Sequence, residues 1–371
     1  MFPRQRHEAL LTELRRTGAI RIADMVRLLG VSEVTVRRDI AALADQGLLR
    51  REHGGATLPQ QLSTRSAETP PVPARAGHRP TLGMVVPSID YYWPHVVRGA
   101  QAATAAAGGR LMFRASNYDA VEDRRQVNHL LTAGVQALLL APTTTGRAGR
   151  DLLRWLGTLR VPVVLLERSA PPSLSLQRLE GVRTDHALGA GLAVRHLAGL
   201  GHRRVGLVTT RTSPTSAAIV DGWTEGVTAL GLRTSGSFHV EIDPFGAPGW
   251  RAAANHLLDT CVRLDTMALL VHSDTEAIGL IQCARDLGLA VPDDLAVVSY
   301  DDEVAEAGDP PLTAVRPPKT SIGSTAVELS VARLAAGATR PVFRVTLSPE
   351  LTVRQSCGAR SATAGAGRLP P

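Results

Sequence analysis

The sequence predicts a multi-domain chain: a small helical unit closed by a β-wing (α+β), then a larger α/β region of two parallel-sheet lobes. Three observations carry this. Residues 31–55, VSEVTVRRDIAALADQGLLRREHGG, set two arginine pairs on and just after a helical pattern that ends in a glycine turn. Residues 58–80, LPQQLSTRSAETPPVPARAGHRP, hold prolines and polar residues with almost no large apolar group, the composition of a linker. From Thr81 onward short apolar runs alternate with helical patterns, which implies crossovers and a largely parallel sheet.

In the N-terminal unit, residues 1–57, Ala9, Leu10 and Leu14 fall on one face of a first helix spanning Arg4 to Arg16, which Gly18 stops. Ile22 to Leu29 reads as a second, short helix ended by Gly30, and Ser32 is a good N-cap for a third. Val36, Ile40 and Leu43 recur at i, i+4 and i+7 and face inward; Thr35, Arg37 and Arg38 are left to face out. Leu48 to Arg51, followed by His53, Gly54 and Gly55, reads as a strand and a tight turn. Helix, short helix, turn, polar-faced helix and wing make a winged helix-turn-helix, whose last helix enters the major groove of double-stranded DNA. Ser32 and Thr35 are then donors to phosphate or bases. Arg37 and Arg38 can fork onto guanine or phosphate oxygens. Arg50, Arg51 and His53 would reach phosphates or a minor groove from the wing. An arginine pair alone is more often a solvated helix face; the whole constellation is far more specific.

The stretches RHEALL from Arg6, GAIRIADM from Gly18, VSEVTVRRDIAAL from Val31 and GLLRREHGGA from Gly47 together resemble the DeoR-type winged helix over residues 4–57. The resemblance implies operator binding through Ser32, Thr35, Arg37 and Arg38. It gives Asp39 to the fold, paired with a neighbouring arginine, and Gly54 and Gly55 to the backbone of the wing turn.

Bulk properties set limits. A length of 371 residues calls for two or three domains of about 100 to 200 residues each. Hydrophobic residues make up 44% and aromatics 4%, so the cores must be built from Leu, Val and Ala. A formal charge of +7 favours polyanionic partners, but Lys319 is the only lysine of an Arg-, Ala- and Gly-rich chain. That bias makes the placement of arginines more informative than their number. Cys261, Cys283 and Cys357 form no CxxC, which argues against a disulfide framework or a zinc site and fits a reducing cytoplasm. The N-terminus has no apolar signal core, and no run reaches the roughly 20 apolar residues of a membrane span, so a cytoplasmic protein without membrane contact is expected. No GxGxxG follows a strand, and P-loop, nucleophile elbow and HExxH are all missing, so neither enzyme nor cofactor is expected. His95, His129, His186, His202 and His272 show no metal spacing and read as surface or helix-end residues.

In residues 81–357, LGMVVP, RLMFRAS, ALLLAP, VPVVLLE, RRVGLVT, MALLVHSD and LAVVSYDD read as buried strands. WPHVVRGAQAATAAAG, VEDRRQVNHLLTAG and ALGAGLAVRHLAGLG read as helices. The last residues, 358–371, read as a frayed, disordered tail. Ligands of open α/β sheets sit beyond the strand carboxyl ends, so candidates must follow strands. Asp90, Tyr92 and Trp93 follow the first strand, the aromatics offering faces to a sugar ring or a base; Trp93 could equally pack against a hinge. Asn117 follows the second, as a hydroxyl partner or as the cap of the next helix. Glu167 and Arg168 follow the fourth, Asp274 follows VHS, and Asp301 closes the last run. Asp185 is more often a helix cap than a ligand contact.

The series LGMVVP, VRGA, LLLAP, VPVVLLER, HLAGLGHRRV, DGW, PDDLAVVSYDD, PLTAV and SPELTVR resembles, in order, the LacI/GalR-type effector domain, a type I periplasmic-binding-protein-like fold of two Rossmann-like lobes. DeoR-type readers usually precede a different, sugar-phosphate-sensing domain, so this pairing departs from that pattern. The resemblance places Arg168 and Asp274 at ligand-binding positions, with Asp301 in a matching cleft loop. Glu167 stands where the family often has Asp, and Ser273 where it has Asn. Ile219 stands where it commonly has a ligand-gripping arginine, a role Arg211 could take over. The implied function is a DNA-binding transcriptional repressor controlled by a small-molecule effector, a saccharide or related metabolite. It would act as a homodimer or tetramer on an inverted repeat with half-sites about 10 base pairs, or a multiple, apart. Residues 58–80 do not look like the hinge helix of LacI-type regulators. The alternatives are a solute-binding protein serving a transporter, or an enzyme on a Rossmann-like fold; the winged helix opposes the first, the missing motifs the second.

Overall fold

The computed structural model describes residues 6, 10, 13, 19–45, 49–52, 55–57, 79–171, 174, 178–211 and 213–359. The chain divides into two compact units, Met1–Pro73 and Ala74–Pro371. Most of the expected linker, residues 58–78, lies outside the described residues, as do His53, Gly54 and the tail from residue 360.

In the first unit, β1 (Ala19–Arg21) leads into α1 (Ile22–Leu29) and α2 (Glu33–Asp45), followed by β2 (Arg50–Glu52) and β3 (Gly55–Thr57). The wing is three-stranded, in the order β1-β3-β2, with β3 antiparallel to both neighbours. The sequence reading missed β1, because three residues show no period. Of the expected first helix, Arg6, Leu10 and Glu13 are helical and the rest lies outside the described residues. Val36, Ile40 and Leu43 do face inward, packing with Leu10, Ile20, Met25 and Leu49. Ser32 caps α2, its Oγ accepting from the Thr35 amide at 3.3 Å. Asp39 is buried and takes both Nε (2.7 Å) and Nη2 (3.1 Å) of Arg6, so it serves the fold by joining α2 to the N-terminal helical segment.

The second unit has two lobes. The first begins with β4 (Thr81–Val86), α3 (Trp93–Ala106), β5 (Arg110–Ala115), α4 (Ala120–Thr132), β6 (Ala137–Leu140), α5 (Gly146–Thr158), β7 (Val163–Leu166) and β8 (Glu180–Thr184). The second follows with α6 (His186–Gly199), β9 (Gly206–Thr210), α7 (Ser216–Ala229), β10 (His239–Ile242), α8 (Trp250–Leu264), β11 (Ala268–Val271), α9 (Asp274–Asp286), β12 (Ala296–Tyr300) and β13 (Thr313–Arg316). The chain then returns to the first lobe for α10 (Lys319–Ala336) and β14 (Arg344–Leu347), and ends its sheets in the second with β15 (Glu350–Thr352). The sheet orders are β14-β8-β7-β6-β4-β5 and β10-β9-β11-β12-β13-β15. All neighbours are parallel except β13 and β15. The chain therefore crosses between lobes after β8, after β13 and after β14.

Strands β6, β7 and β11 are buried on both faces, as their unbroken apolar runs require. RLMFRAS forms β5, which is an edge strand and partly exposed rather than buried. β8, β10 and β14 were not foreseen, since none holds an apolar run: β10 and β14 are half-exposed, and β8, though mostly buried, is largely polar in sequence. None of the described helices is long and apolar enough to cross a membrane.

Helices α3 and α10 meet backbone to backbone. A Cβ on Gly99 would lie 2.0 Å from the Thr320 carbonyl oxygen, and one on Gly323 2.0 Å from that of Val96. Reciprocal glycines let Ile322 and Ala326 pack with Val96 and Ala100 over the first sheet. Gly323→Ala should therefore cost about 1 to 3 kcal/mol of stability through overpacking, read as a lower urea midpoint. An unchanged midpoint would mean that the two helices separate freely.

Candidate functional site

The outward face of α2 carries Ser32, Glu33, Val34, Arg37 and Arg38, all exposed. Thr35, expected to face out, is only half-exposed, and its hydroxyl lies 2.9 Å from that of Ser32. Arg37 donates from Nε (2.9 Å) and Nη2 (2.7 Å) to one oxygen of Glu33, a residue that sequence reasoning passed over. Arg50 and Arg51 lie in β2; their side chains, like His53, are outside the described residues.

Between the lobes of the second unit lies a cavity of about 340 Å³, open at the carboxyl ends of β4, β7, β9 and β11. Four predicted residues line it: Tyr92, Trp93, Arg168 and Asp301. Three do not. Asp90 is exposed, with its amide on Ser88 Oγ, and Tyr91 takes its place in the wall. Asn117 is exposed and Tyr118 lines the cavity instead. Nor does Asn117 cap α4, because Asp119 accepts the Val121 and Glu122 amides. Asp274 is fully buried and turned into its own lobe, accepting from Ser299 Oγ (2.6 Å) and the amides of Glu303 (2.7 Å) and Val304 (3.1 Å); Ser273 beside it faces the cavity. Asp185 caps α6 through the Leu188 amide. Ile219 sits in the apolar core of the second lobe rather than in the wall, and Arg211 is exposed beside Asp243 at 3.1 Å.

Glu167 organises the wall. Tyr92 Oη and Thr184 Oγ1 donate to its Oε1 at 2.6 and 2.7 Å, the Thr184 amide to its Oε2 at 2.9 Å, and His186 Nε2 lies 3.3 Å away. Burial pushes the carboxyl up, but His186, Tyr92 and Thr184 outweigh it and hold its pKa at about 2. Arg168 next to it is buried, its Nε on the Pro142 carbonyl (3.2 Å) and its Nη1 on that of Glu167 (2.8 Å), with the guanidinium 5.7 Å from the Trp93 ring centroid. From the other lobe, the buried Asp301 carboxyl group has His272 Nε2 at 3.8 Å. Burial and the nearby Asp274 raise its pKa well above the usual range. His186 and His272, expected at the surface or at helix ends, are both buried, His186 at the start of α6, and they flank Tyr300, tilted and edge-on, with ring centroids 5.8 and 5.6 Å away. Both follow strand ends by one or two residues, the signal by which they could have been found.

Six described non-glycine residues adopt positive φ, and four of them, Tyr91, Tyr118, Glu167 and Asp301, line this cavity. Such angles cost on the order of 1 to 3 kcal/mol each and persist where surroundings over-determine them, commonly at ligand sites.

Burial, then the neighbouring His186, lowers the His272 pKa to about 4. The unfolded chain therefore binds that proton first. The contribution to stability is complete above about pH 6.5 and is lost as pH falls toward 4, at up to about 1.4 kcal/mol per pH unit. Unfolding free energy measured across this window should show that slope in the natural chain and a shallower one in His272→Gln. Equal slopes would place the titration elsewhere.

A profile of the DeoR-like helix-turn-helix domain matches residues 6–62, and one of the periplasmic binding protein-like domain matches residues 194–357. An uncharacterised HTH-type transcriptional regulator of Streptomyces limosus is 30% identical over 358 residues, covering 91% of this chain and 94% of the relative. The arabinose metabolism transcriptional repressor of Geobacillus stearothermophilus is 26% identical over 338 residues, covering 88% and 87%. Among solved structures, the transcriptional regulator CelR in complex with cellobiose shares the fold with a TM-score of 0.64 at 24% identity, over 88% of this chain and 91% of that one. With the α2 face and the two-lobed cleft, these likenesses place the chain among the HTH-type transcriptional regulators that join a DNA-binding helix-turn-helix to a periplasmic-binding-protein-like sensor.

Proposed function

We propose that the protein is a repressor, homodimeric on an inverted-repeat operator, whose hold on DNA is set by an uncharged saccharide in the inter-lobe cleft. The observation that carries the effector half is the pairing of Arg168 and Asp301, which face one cavity from different lobes. A polyol that accepts from the guanidinium and hydrogen-bonds the Asp301 carboxyl group binds the closed arrangement better than the open one. That differential affinity is what a ligand needs to shift a conformational equilibrium. Tyr91, Tyr92, Trp93 and Tyr118 offer ring faces to the apolar faces of a sugar.

The charge balance supports an uncharged ligand. Glu276 is also in the wall; burial raises its pKa, but Ser273, the Phe245 amide and Thr275 lower it more, and it stays ionised. Two ionised glutamates against one arginine leave the cleft unfavourable to phosphates and carboxylates. The similarity to an arabinose repressor and to a regulator bound to cellobiose agrees with this choice.

On the DNA side, Ser32 and Arg37 would meet the major groove and Arg38, Arg50, Arg51 and His53 the phosphates, with Thr35 acting through its bond to Ser32. Two such readers in a dimer fit half-sites about 10 base pairs, or a multiple, apart. Closure of the cleft would change the spacing of the readers through the dimer.

Neutral mono- and disaccharides, sugar phosphates and nucleosides can be screened by thermal shift. At about 100 times its dissociation constant an effector stabilises the fold by roughly 2.7 kcal/mol. A neutral saccharide should raise the melting temperature, while Arg168→Gln and Asp301→Asn should lose that response. A response confined to sugar phosphates, or none from any saccharide, would defeat the effector proposal. Sedimentation equilibrium should give twice the 39.3 kDa of the chain, and a monomer at micromolar concentration would defeat the dimer.

A further inference from the structure

We infer that Glu33 is a specificity-determining residue of the DNA reader: it holds the Arg37 guanidinium for a guanine edge and withholds it from phosphate. The inference rests on the reading that α2 meets DNA. An unrestrained arginine forks onto the phosphates of any sequence. Arg37 is not unrestrained. Its Nε and Nη2 both donate to Glu33 Oε1, so one edge of the guanidinium is occupied. The other edge, Nη1 with the second Nη2 hydrogen, keeps the paired donors that match guanine O6 and N7.

The pair is not there for stability. Both side chains remain about 60% exposed, at 60% and 59%, and exposed i,i+4 pairs contribute little. Its placement is informative instead. Glu33 opens α2, where a carboxylate is favoured by the helix macrodipole before any DNA arrives. The same end of the reading helix is nearest the bases. A carboxylate there repels any docking that sets it against backbone phosphate, a penalty on wrong registers rather than a gain for the right one.

Arg38 supplies the contrast: it is exposed and has no acidic partner among the described residues. The two adjacent arginines therefore divide the work. Arg38 neutralises phosphate and contributes to the salt dependence. The Glu33–Arg37 pair is neutral as a unit, releases no counterion, and reads a base.

Full-length protein can be used to select duplexes from a randomised pool, followed by salt titrations on the selected sequence and on a scrambled one. The natural chain should enrich a motif containing a guanine in each half-site. Glu33→Ala should cut the preference for that guanine about tenfold, the lower range of a bidentate base contact. It should also tighten binding to scrambled DNA and steepen the salt slope by about 0.9 per protomer, as Arg37 falls onto phosphate. Glu33→Asp, which keeps the charge on a shorter arm, should lose the guanine preference without steepening the slope. Arg37→Ala should lose the same preference at unchanged slope, and Arg38→Ala should flatten the slope by about 0.9. If Glu33→Ala and Glu33→Asp both select the natural motif with the natural slope, the pair is a solvated surface contact and the inference fails. If the natural chain enriches no motif, the failure lies earlier, in the reading of α2 as a DNA reader.

Discussion

A buried carboxylate has to be satisfied where it stands, and in this molecule that requirement falls on Glu167. It terminates β7 at positive φ, and its oxygens are engaged by Tyr92 at the start of α3, by Thr184 at the end of β8 and by His186 at the start of α6. These elements include both sides of the first crossing between lobes. Tyr92 and His186 are thus placed by one ionised group, and Arg168 takes the backbone carbonyl of the same residue. Removing the carboxylate would leave a phenol, a hydroxyl and an amide without their acceptor, which is the costly direction of the exchange.

The second crossing is held by a different device. Lys319, the only lysine of the chain, begins α10 and reaches back to the other lobe. It is buried, with Nζ 2.5 Å from Glu303 Oε1, bonded to the Asp301 carbonyl, and 5.4 Å from the Tyr92 ring centroid. A compact ammonium can serve a carboxylate, a carbonyl and a ring face at once, where a planar guanidinium imposes a fork. This accounts for a lysine rather than an arginine at this position. The reciprocal glycines of α3 and α10 fix the helix from which this side chain reaches.

Much of the architecture was legible because it rests on local pattern. Unbroken apolar runs marked β4, β6, β7, β9, β11 and β12, and the spacing of Val36, Ile40 and Leu43 marked the inner face of α2. Strands without an apolar run carried no such signal, such as EGVRT in β8, whose Glu180 and Thr184 are polar yet buried. In the cleft, Tyr92, Trp93, Arg168 and Asp301 were found by looking just after strands. Asp90, Asn117 and Asp274 satisfied the same rule and failed, each displaced by its neighbour in sequence. The rule places a segment at the right end of a sheet, but which of two adjacent side chains turns inward depends on backbone angles and on competing partners.

The sequence by itself determined the two-part organisation, the winged reader, the parallel two-lobed sensor and the segments that border its cleft, since periodicity, caps and turn residues act over a few neighbouring positions. Only the tertiary structure decided which side chains face the cleft and which are spent on the fold. Asp274 is consumed by Ser299, Glu303 and Val304, Ile219 by an apolar core, and His186 and His272 by a buried aromatic cluster about Tyr300. Each of those partners lies on another element of the fold, and the hydrogen bonds and burial that settle the matter exist only once the sheets are assembled.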